Sequence, residues 1–396
     1  MRYTMKPSIR KLPGLAAACA ALALLALSAC GGGGNSTPAT PVTLVNGQAA
    51  TAVIGQTSFT ASTAGTTAAT LNLPYGNATV DPATGNLYLA DELNNRMLGY
   101  SGIPAASGAS ATMVLAQAGF TTGASGVSAS SVWHPFGPVI AGGQMFFPDF
   151  LNNRVGIYGT LPASSPGTIG VVAGQGSKTA NGPGCAIAAL NGPESVSVAG
   201  GKMVVADTYN NRVLIWNTVP VADGAPADLV LGQPNMTTCT PNTGGAVTAG
   251  TLNMAGGVWT DGTRLVVLDS GNNRALVWNT FPTANGQVAD LVLGQANFTS
   301  NGVATTAASL IGPYGGVFVN PAQQLFITDT GNNRVLVWNY FPASNGQAAN
   351  VVLGQPDFTT GSANTTAATL KTPTGVITSG GHVIVTDSYN NRVLVY

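Results

Sequence analysis

The hexapeptide Asp329 to Arg334 (DTGNNR) returns five more times with one or two letters changed. The other copies are Asp91 to Arg96 (DELNNR), Asp149 to Arg154 (DFLNNR), Asp207 to Arg212 (DTYNNR), Asp269 to Arg274 (DSGNNR) and Asp387 to Arg392 (DSYNNR). Successive aspartates lie 58, 58, 62, 60 and 58 residues apart, so one supersecondary unit has been copied with small loop insertions. An apolar, β-branched run precedes each Asp, as in Met203 to Ala206 or Leu265 to Leu268, and another follows each Arg, as in Val213 to Trp216 or Val335 to Trp338. These runs predict the two strands of a hairpin. The Asn-Asn pair between them tolerates left-handed backbone and bonds its own main chain, which suits a tight connection. Asp and Arg fall near opposite ends of the turn, where they can pair charge to charge and hold it closed.

A second tag, Gly-Gln, ends another strand in Val53 to Gln56, Val230 to Gln233, Val292 to Gln295 and Val352 to Gln355, with Val114 to Gln117 and Val172 to Gln175 as looser copies. A fourth strand follows a Pro or Gly, as in Gly257 to Thr260 and Gly316 to Val319. Each unit therefore carries four strands and no segment of helical period. Such units, apolar on both faces, need a neighbour on both faces, which is the condition inside a β-propeller. The composition agrees, with 7% charged and 45% hydrophobic residues and 52 Gly for many short strands joined by turns. Asn46 to Gln56 (NGQAATAVIGQ) reads like Asn345 to Gln355 (NGQAANVVLGQ), yet the chain stops at Tyr396, just after its sixth hairpin. The expectation is an all-β, six-bladed propeller in which an N-terminal strand supplies the outer strand of the last blade, leaving no open edge.

Pro313 to Trp338 resembles the NHL repeat: Pro-x-Gly, an apolar strand, Gly-x-Leu-x-Val-x-Asp, then Gly-Asn-Asn-Arg-Val. The resemblance runs from the first Gly-Gln unit to the C-terminus and implies a propeller fold. It implies no single activity, because that family includes scaffolds, sensor domains and a few enzymes. WD40 propellers fit less well, since their period is shorter and their Gly-His and Trp-Asp letters are absent here.

Arg2, Lys6, Arg10 and Lys11 precede the apolar stretch Leu12 to Leu27, which is short and Ala-rich for a spanning helix and reads as a signal peptide. It ends in Leu27-Ser28-Ala29-Cys30, which resembles the bacterial lipoprotein signal and implies lipidation of Cys30 after cleavage. The domain reading is a lipoprotein signal peptide over 1–29, a Gly/Ser/Thr/Pro-rich tether over 30–45, and the propeller over 46–396. The resemblance also implies an envelope protein, with Gly31 after the lipidated Cys pointing to the outer membrane. Without its four leader basics the chain has ten Lys plus Arg against 14 Asp plus Glu, a net of about minus four. Six of those ten are the repeat arginines, so no basic patch remains to track phosphates, and nucleic acid is excluded as a partner.

Cys19 leaves with the signal, so the propeller keeps Cys185 and Cys239, in equivalent loops of consecutive blades, and a disulfide is the natural hypothesis. Metal and cofactor chemistry have little support. His134 and His382 lie in different repeats and cannot build a three-His zinc site, and no Asp-x-Asp cluster, Gly-x-Ser-x-Gly elbow or Gly-rich phosphate loop occurs. The repeat pairs Asp91/Arg96, Asp149/Arg154, Asp207/Arg212, Asp269/Arg274, Asp329/Arg334 and Asp387/Arg392 recur six times, which marks them as structural.

Departures from the repeat point to function instead. After the inner-strand Pro the units carry Tyr75, Phe136, Glu194, Ala255, Tyr314 and Thr374, with Met254 replacing Pro in the fourth. These positions are expected to ring one mouth of the central channel, where propellers bind partners. Tyr75, Phe136 and Tyr314 could stack on a sugar ring or apolar ligand, with Trp133 and His134 just upstream and Glu194 the one acid of the set. Trp216, Trp278 and Trp338 share a repeat position with Tyr100, Tyr158 and Tyr396 and read as core. The expected function is non-enzymatic binding of a protein or glycan at this loop face. The alternatives are a lactonase- or lyase-like enzyme using Glu194 with Tyr75 or Tyr314, and an envelope scaffold without a small-molecule site.

Overall fold

The structure, a computed structural model, describes residues 40–396. The signal peptide, Cys30 and most of the tether lie outside the described residues. Strand β1 (Ala52–Ile54) comes first in the chain but belongs to the last blade. Blade 1 is β2 to β5 (Thr79–Val80, Leu87–Asp91, Arg96–Tyr100, Met113–Leu115) and blade 2 is β6 to β9 (Val139–Ala141, Gln144–Asp149, Arg154–Tyr158, Val171–Ala173). Blade 3 is β10 to β13 (Pro193–Ala199, Lys202–Asp207, Arg212–Trp216, Leu229–Leu231) and blade 4 is β14 to β17 (Ala255–Thr260, Leu265–Asp269, Arg274–Trp278, Leu291–Leu293). Blade 5 is β18 to β21 (Val317–Val319, Leu325–Asp329, Arg334–Trp338, Val351–Leu353). Blade 6 joins β22 to β24 (Pro373–Ser379, His382–Asp387, Arg392–Val395) to β1, which pairs Ala52 with Val395 and Ile54 with Val393. The fold is thus a six-bladed, all-β propeller closed by its N-terminal strand.

Each blade buries both faces. Val204, Ile215 and Leu231 of blade 3 pack with Val258, Leu276 and Trp278 of blade 4, while Val205, Leu214 and Trp216 on the other face pack with Phe146 and Val155 of blade 2. The alternation along each strand sends successive side chains to opposite neighbours. The recurrent Trp and Tyr side chains are all buried, and Trp216, Trp278 and Trp338 each donate Nε1–H to a carbonyl.

The hexapeptide is a hub. In blade 4, Arg274 Nε donates to Asp269 Oδ2 at 2.7 Å, Nη1 to the Phe298 carbonyl, and Nη2 to the carbonyls of Thr248 and Thr251. Asp269 also accepts from the Asn253 N–H and from Asn272 Nδ2. Both side chains are fully buried, and a buried ion pair holds only where its remaining donors and acceptors are met in this way. The two asparagines divide the work. The first donates to the Asp carboxylate, as Asn94 to Asp91 at 2.8 Å, at the end of a short 3-10 turn. The second, left-handed in all six copies with φ between 50° and 54°, turns its Oδ1 to a backbone N–H of the next blade. These links run Asn95 to His134, Asn153 to Gly192, Asn211 to Met254, Asn273 to Gly312, Asn333 to Thr372, and Asn391 back to Leu73.

Cys185 and Cys239 are joined by a disulfide between blades 3 and 4, with Cα atoms 6.3 Å apart. Residues 42–45, grouped with the tether by composition, run along the ring. Val42 exchanges two hydrogen bonds with Gln324, and Val42 and Leu44 pack on the core between blades 5 and 6. Asn46 Oδ1 then accepts from the Val352 N–H at 3.0 Å. Asn285 and Asn345 do the same for Val230 and Val292, so each loop caps the outer strand of the preceding blade.

Candidate functional site

The inner strands begin, and the 3-10 turns lie, at the same end of the propeller, because the Asp that ends a second strand pairs with the start of the first, as Asp207 with Pro193, Asp387 with Pro373 and, in blade 4, Asp269 with Ala255. Tyr75 and Tyr314 are half-buried there, and Trp133 is 38% exposed. Thr374 is buried beneath the rim, and in the fourth blade Ala255, not Met254, takes the Pro position, because Ala255 pairs with Asp269 as Pro193 does with Asp207; the residue after it is therefore Gly256. Phe136, expected to offer a stacking face, is 3% exposed. Its ring is filled on both sides, by Tyr75 with centroids 4.1 Å apart and by Phe150 at 4.7 Å. Phe150 in turn meets Tyr209 edge-on at 5.4 Å.

Sequence reasoning missed the residue after each repeat Asp. In blades 3 to 6 it is a hydroxyl that stitches its blade to the start of another inner strand or to its own. Thr208 donates to the Ala255 carbonyl at 2.7 Å, Ser270 to the Pro313 carbonyl, Thr330 to the Pro373 carbonyl at 2.8 Å, and Ser388 shares a hydrogen bond with Thr374. Blades 1 and 2 place Glu92 and Phe150 there instead. The change was visible in DELNNR and DFLNNR, but the constant letters of the hexapeptide drew the reading. The next turn position adds the exposed side chains Leu93, Tyr209 and Tyr389.

Glu92 and Glu194 dominate the electrostatics. They are 6% and 7% exposed, and one oxygen of each, Oε2, is buried without a hydrogen-bond partner among the described residues. Glu92 Oε1 meets His134 Nδ1 at 2.9 Å, with His134 in left-handed backbone at φ 53°. Burial, with a further push from the charge of Glu92, raises the Glu194 carboxyl well above the ordinary range. Burial and the two carboxylates likewise raise the Tyr75 hydroxyl, while burial and then Glu194 push Tyr314 up to about 12. The phenols thus stay protonated at neutral pH and offer hydroxyls. A buried carboxyl with an unmet oxygen is costly to keep, so the pair marks a place built for something other than packing.

Just behind these residues the inner strands run backbone to backbone. A Cβ at Gly375 would meet the Gly76 carbonyl and one at Gly315 the Thr374 carbonyl, so glycine is required at both. Asn77 crosses here, accepting from the Val376 N–H and donating to the Val317 carbonyl. Further along the axis lies a cavity of about 320 Å³ whose walls, including Val80, Ile140, Val198, Trp259, Phe318 and Thr378, are apolar or hydroxylated apart from the Asn77 amide and carry no charge. Among the described residues, no group of three His, Cys, Asp or Glu is placed to hold a metal ion.

By fold and repeat the chain is a six-bladed β-propeller with its chemically irregular positions gathered at one axial mouth. The NHL repeat family model matches residues 370–396, which hold the last three strands, β22 to β24. No curated protein matches. Among solved structures, an auxiliary nutrient binding protein from Bacteroides thetaiotaomicron VPI-5482 is 10% identical, with 82% of this chain and 69% of that chain covered and a TM-score of 0.47. A streptogramin B lyase is 11% identical over 82% of this chain and 93% of that one, with a TM-score of 0.43. The WD40 propeller domain of Doa1 is 12% identical over 81% and 77%, with a TM-score of 0.44.

Proposed function

We propose that this chain is a non-enzymatic binding propeller of the bacterial envelope, lipid-anchored through Cys30, which takes a protein or glycan ligand on the face where the inner strands begin. The observation that carries this reading is the aromatic rim. Trp133, Tyr209 and Tyr389, 38%, 49% and 54% exposed, stand around the half-buried Tyr75 and Tyr314, and large side chains left in solvent as a group mark an interaction site. Aromatic faces of this kind supply contact area at low entropic cost and carry a large share of binding energy. Repeat positions elsewhere are consumed by hubs and caps, so this end is where the blades differ.

Glycan-array and envelope-extract binding by wild type and Tyr314→Ala tests the reading. Affinity should fall about tenfold or more in the variant while its melting midpoint changes little. A Tyr314→Ala protein that melts like a core deletion yet binds normally would leave Tyr314 a packing residue and remove the proposed mouth. Export and anchoring are read separately, by fatty-acid labelling of wild type and Cys30→Ala; equal label on both rejects the lipid site. One observation favours a lactonase- or lyase-like enzyme instead, namely a carboxyl of raised pKa, Glu194, beside the hydroxyls of Tyr75 and Tyr314. Turnover on lactones that is lost in Glu194→Gln would establish that alternative.

A further inference from the structure

From the unpartnered carboxylate oxygens of Glu92 and Glu194 and the tyrosines around them, we infer that the mouth binds an organic cation, an alkylammonium group. The inference rests on the reading of this face as a binding site and supplies the chemistry of its ligand. Glu92 and Glu194 are both more than nine-tenths buried, and each keeps an acceptor oxygen that no donor of the described residues meets. A Cβ added at Gly256 would meet both the Tyr314 ring and Glu194 Oε2, so the two flank the same small space. An ammonium group donates three hydrogen bonds and carries the opposite charge, which is what such oxygens lack.

The walls fit the same occupant. The hydroxyls of Tyr75, Tyr314 and Tyr209 are each raised by burial and then by the charge of Glu194, which places all three within its field. Tyrosine faces attract a desolvated cation, and an aromatic wall with a carboxylate behind it is the general solution for holding one. A neutral sugar could stack on the rim but would leave both buried oxygens unequally served. Among the described residues an anion would meet two buried carboxyls, with His134 already facing Glu92 and Lys371 exposed at the rim position of blade 6 equivalent to Trp133. Burial favours the protonated Glu194 carboxyl and a bound cation favours its charged form, so binding is coupled to proton release and strengthens as pH rises. The other titratable groups facing the site are Glu92, His134, Tyr75, Tyr209, Tyr314, Tyr389 and Lys371.

Calorimetric titration of the propeller with 1,5-diaminopentane and with tetramethylammonium, in two buffers of different ionisation enthalpy, tests this. Saturable binding is expected, with proton release and affinity rising from pH 5 to pH 8. Glu194→Gln, which keeps the size of the side chain, should weaken binding about tenfold or more, and Lys371→Gln should strengthen it. Melting curves establish that both variants are folded. The mono-N-acetylated diamine separates the two probe ends, and 1-pentanol serves as the uncharged control. No saturable binding by either amine, equal binding by 1-pentanol, or unchanged affinity in folded Glu194→Gln would overturn the inference. If neutral glycans or envelope proteins still bind in those cases, the reading of the face as a binding site stands; if nothing binds, both fall.

Discussion

Asp91 and Glu92 are neighbours in the chain, carry the same kind of group and are both buried, yet their surroundings are opposite. The Asp91 carboxylate accepts from Arg96 Nε, Asn94 Nδ2 and the Asn72 N–H. Glu92 keeps one oxygen without a partner among the described residues. The first belongs to a position repeated six times and the second to a position where blades differ. Where this ring repeats itself, its buried carboxylates are met on every side; where it departs from the repeat, buried carboxyls keep an oxygen that no donor of the described residues meets. The contrast separates residues that make the ring from residues available to a ligand.

The strongest challenge to the repeated part is deletion of residues 49–56. Blade 6 then loses β1, β24 presents an unpaired edge, and the apolar faces of Val53 and Ile54 are gone from two core clusters. The deletion protein should aggregate or melt far below wild type, and an unchanged melt would mean that the ring does not need closure. Asp269→Ala comes next. It strands a fully buried Arg274, and breaking such a pair costs about 3 to 5 kcal/mol. Denaturant melts should show that loss with no change in ligand affinity of the folded fraction.

Glu194→Gln should act in the other direction. Burial raises the folded-state pKa of Glu194 above its unfolded value, so the folded chain holds this proton more tightly. Wild type therefore carries no penalty from Glu194 below about pH 4, where both states are protonated, and loses stability as pH rises through the folded pKa. The variant should match wild type at low pH and exceed it at pH 8; a variant less stable than wild type at both would show that Glu194 is structurally needed. The smallest effects compare equivalent turn positions. Ser270→Ala should lose about 1 kcal/mol with its bond to the Pro313 carbonyl, whereas Glu92→Ser, which installs the hydroxyl of the regular blades, should stabilise. A loss in both would erase the distinction between the two kinds of position.

The sequence made the ring legible because each repeated letter performs one bond six times. Asp, Arg and the αL asparagine could be assigned from chemistry alone, and the resemblance of residues 46–56 to 345–355 revealed the closing strand. What it hid was the partner at the far end of each bond. Arg96 reaches carbonyls at Thr67, Thr70 and Phe120, and Asn391 reaches Leu73, separations that carry no local pattern. The mouth was legible in part for a related reason. Tyr75, Glu194 and Tyr314 stood out as departures after the inner-strand Pro, but whether an aromatic is a wall or a rim depends on the neighbouring blade. Phe136 is covered because Phe150, in a turn 14 residues on, lies over it. Glu92 was overlooked because a changed letter inside a constant motif reads as tolerance when its contacts are unseen.

The path of the chain into the ring also determines how the domain bears tension. A pull transmitted from residue 40 meets first the paired hydrogen bonds between Val42 and Gln324, then the grip of Val352 on Asn46 and Gly47, both on blade 5. Only after those, and then the Ala50 N–H bond to the Ala367 carbonyl, yield does load reach β1, which lies antiparallel along β24 and must be sheared across its whole length to be released. Blade 5 is therefore a strain relief for blade 6, and the seam of the ring is shielded from forces arriving along its own leading strand.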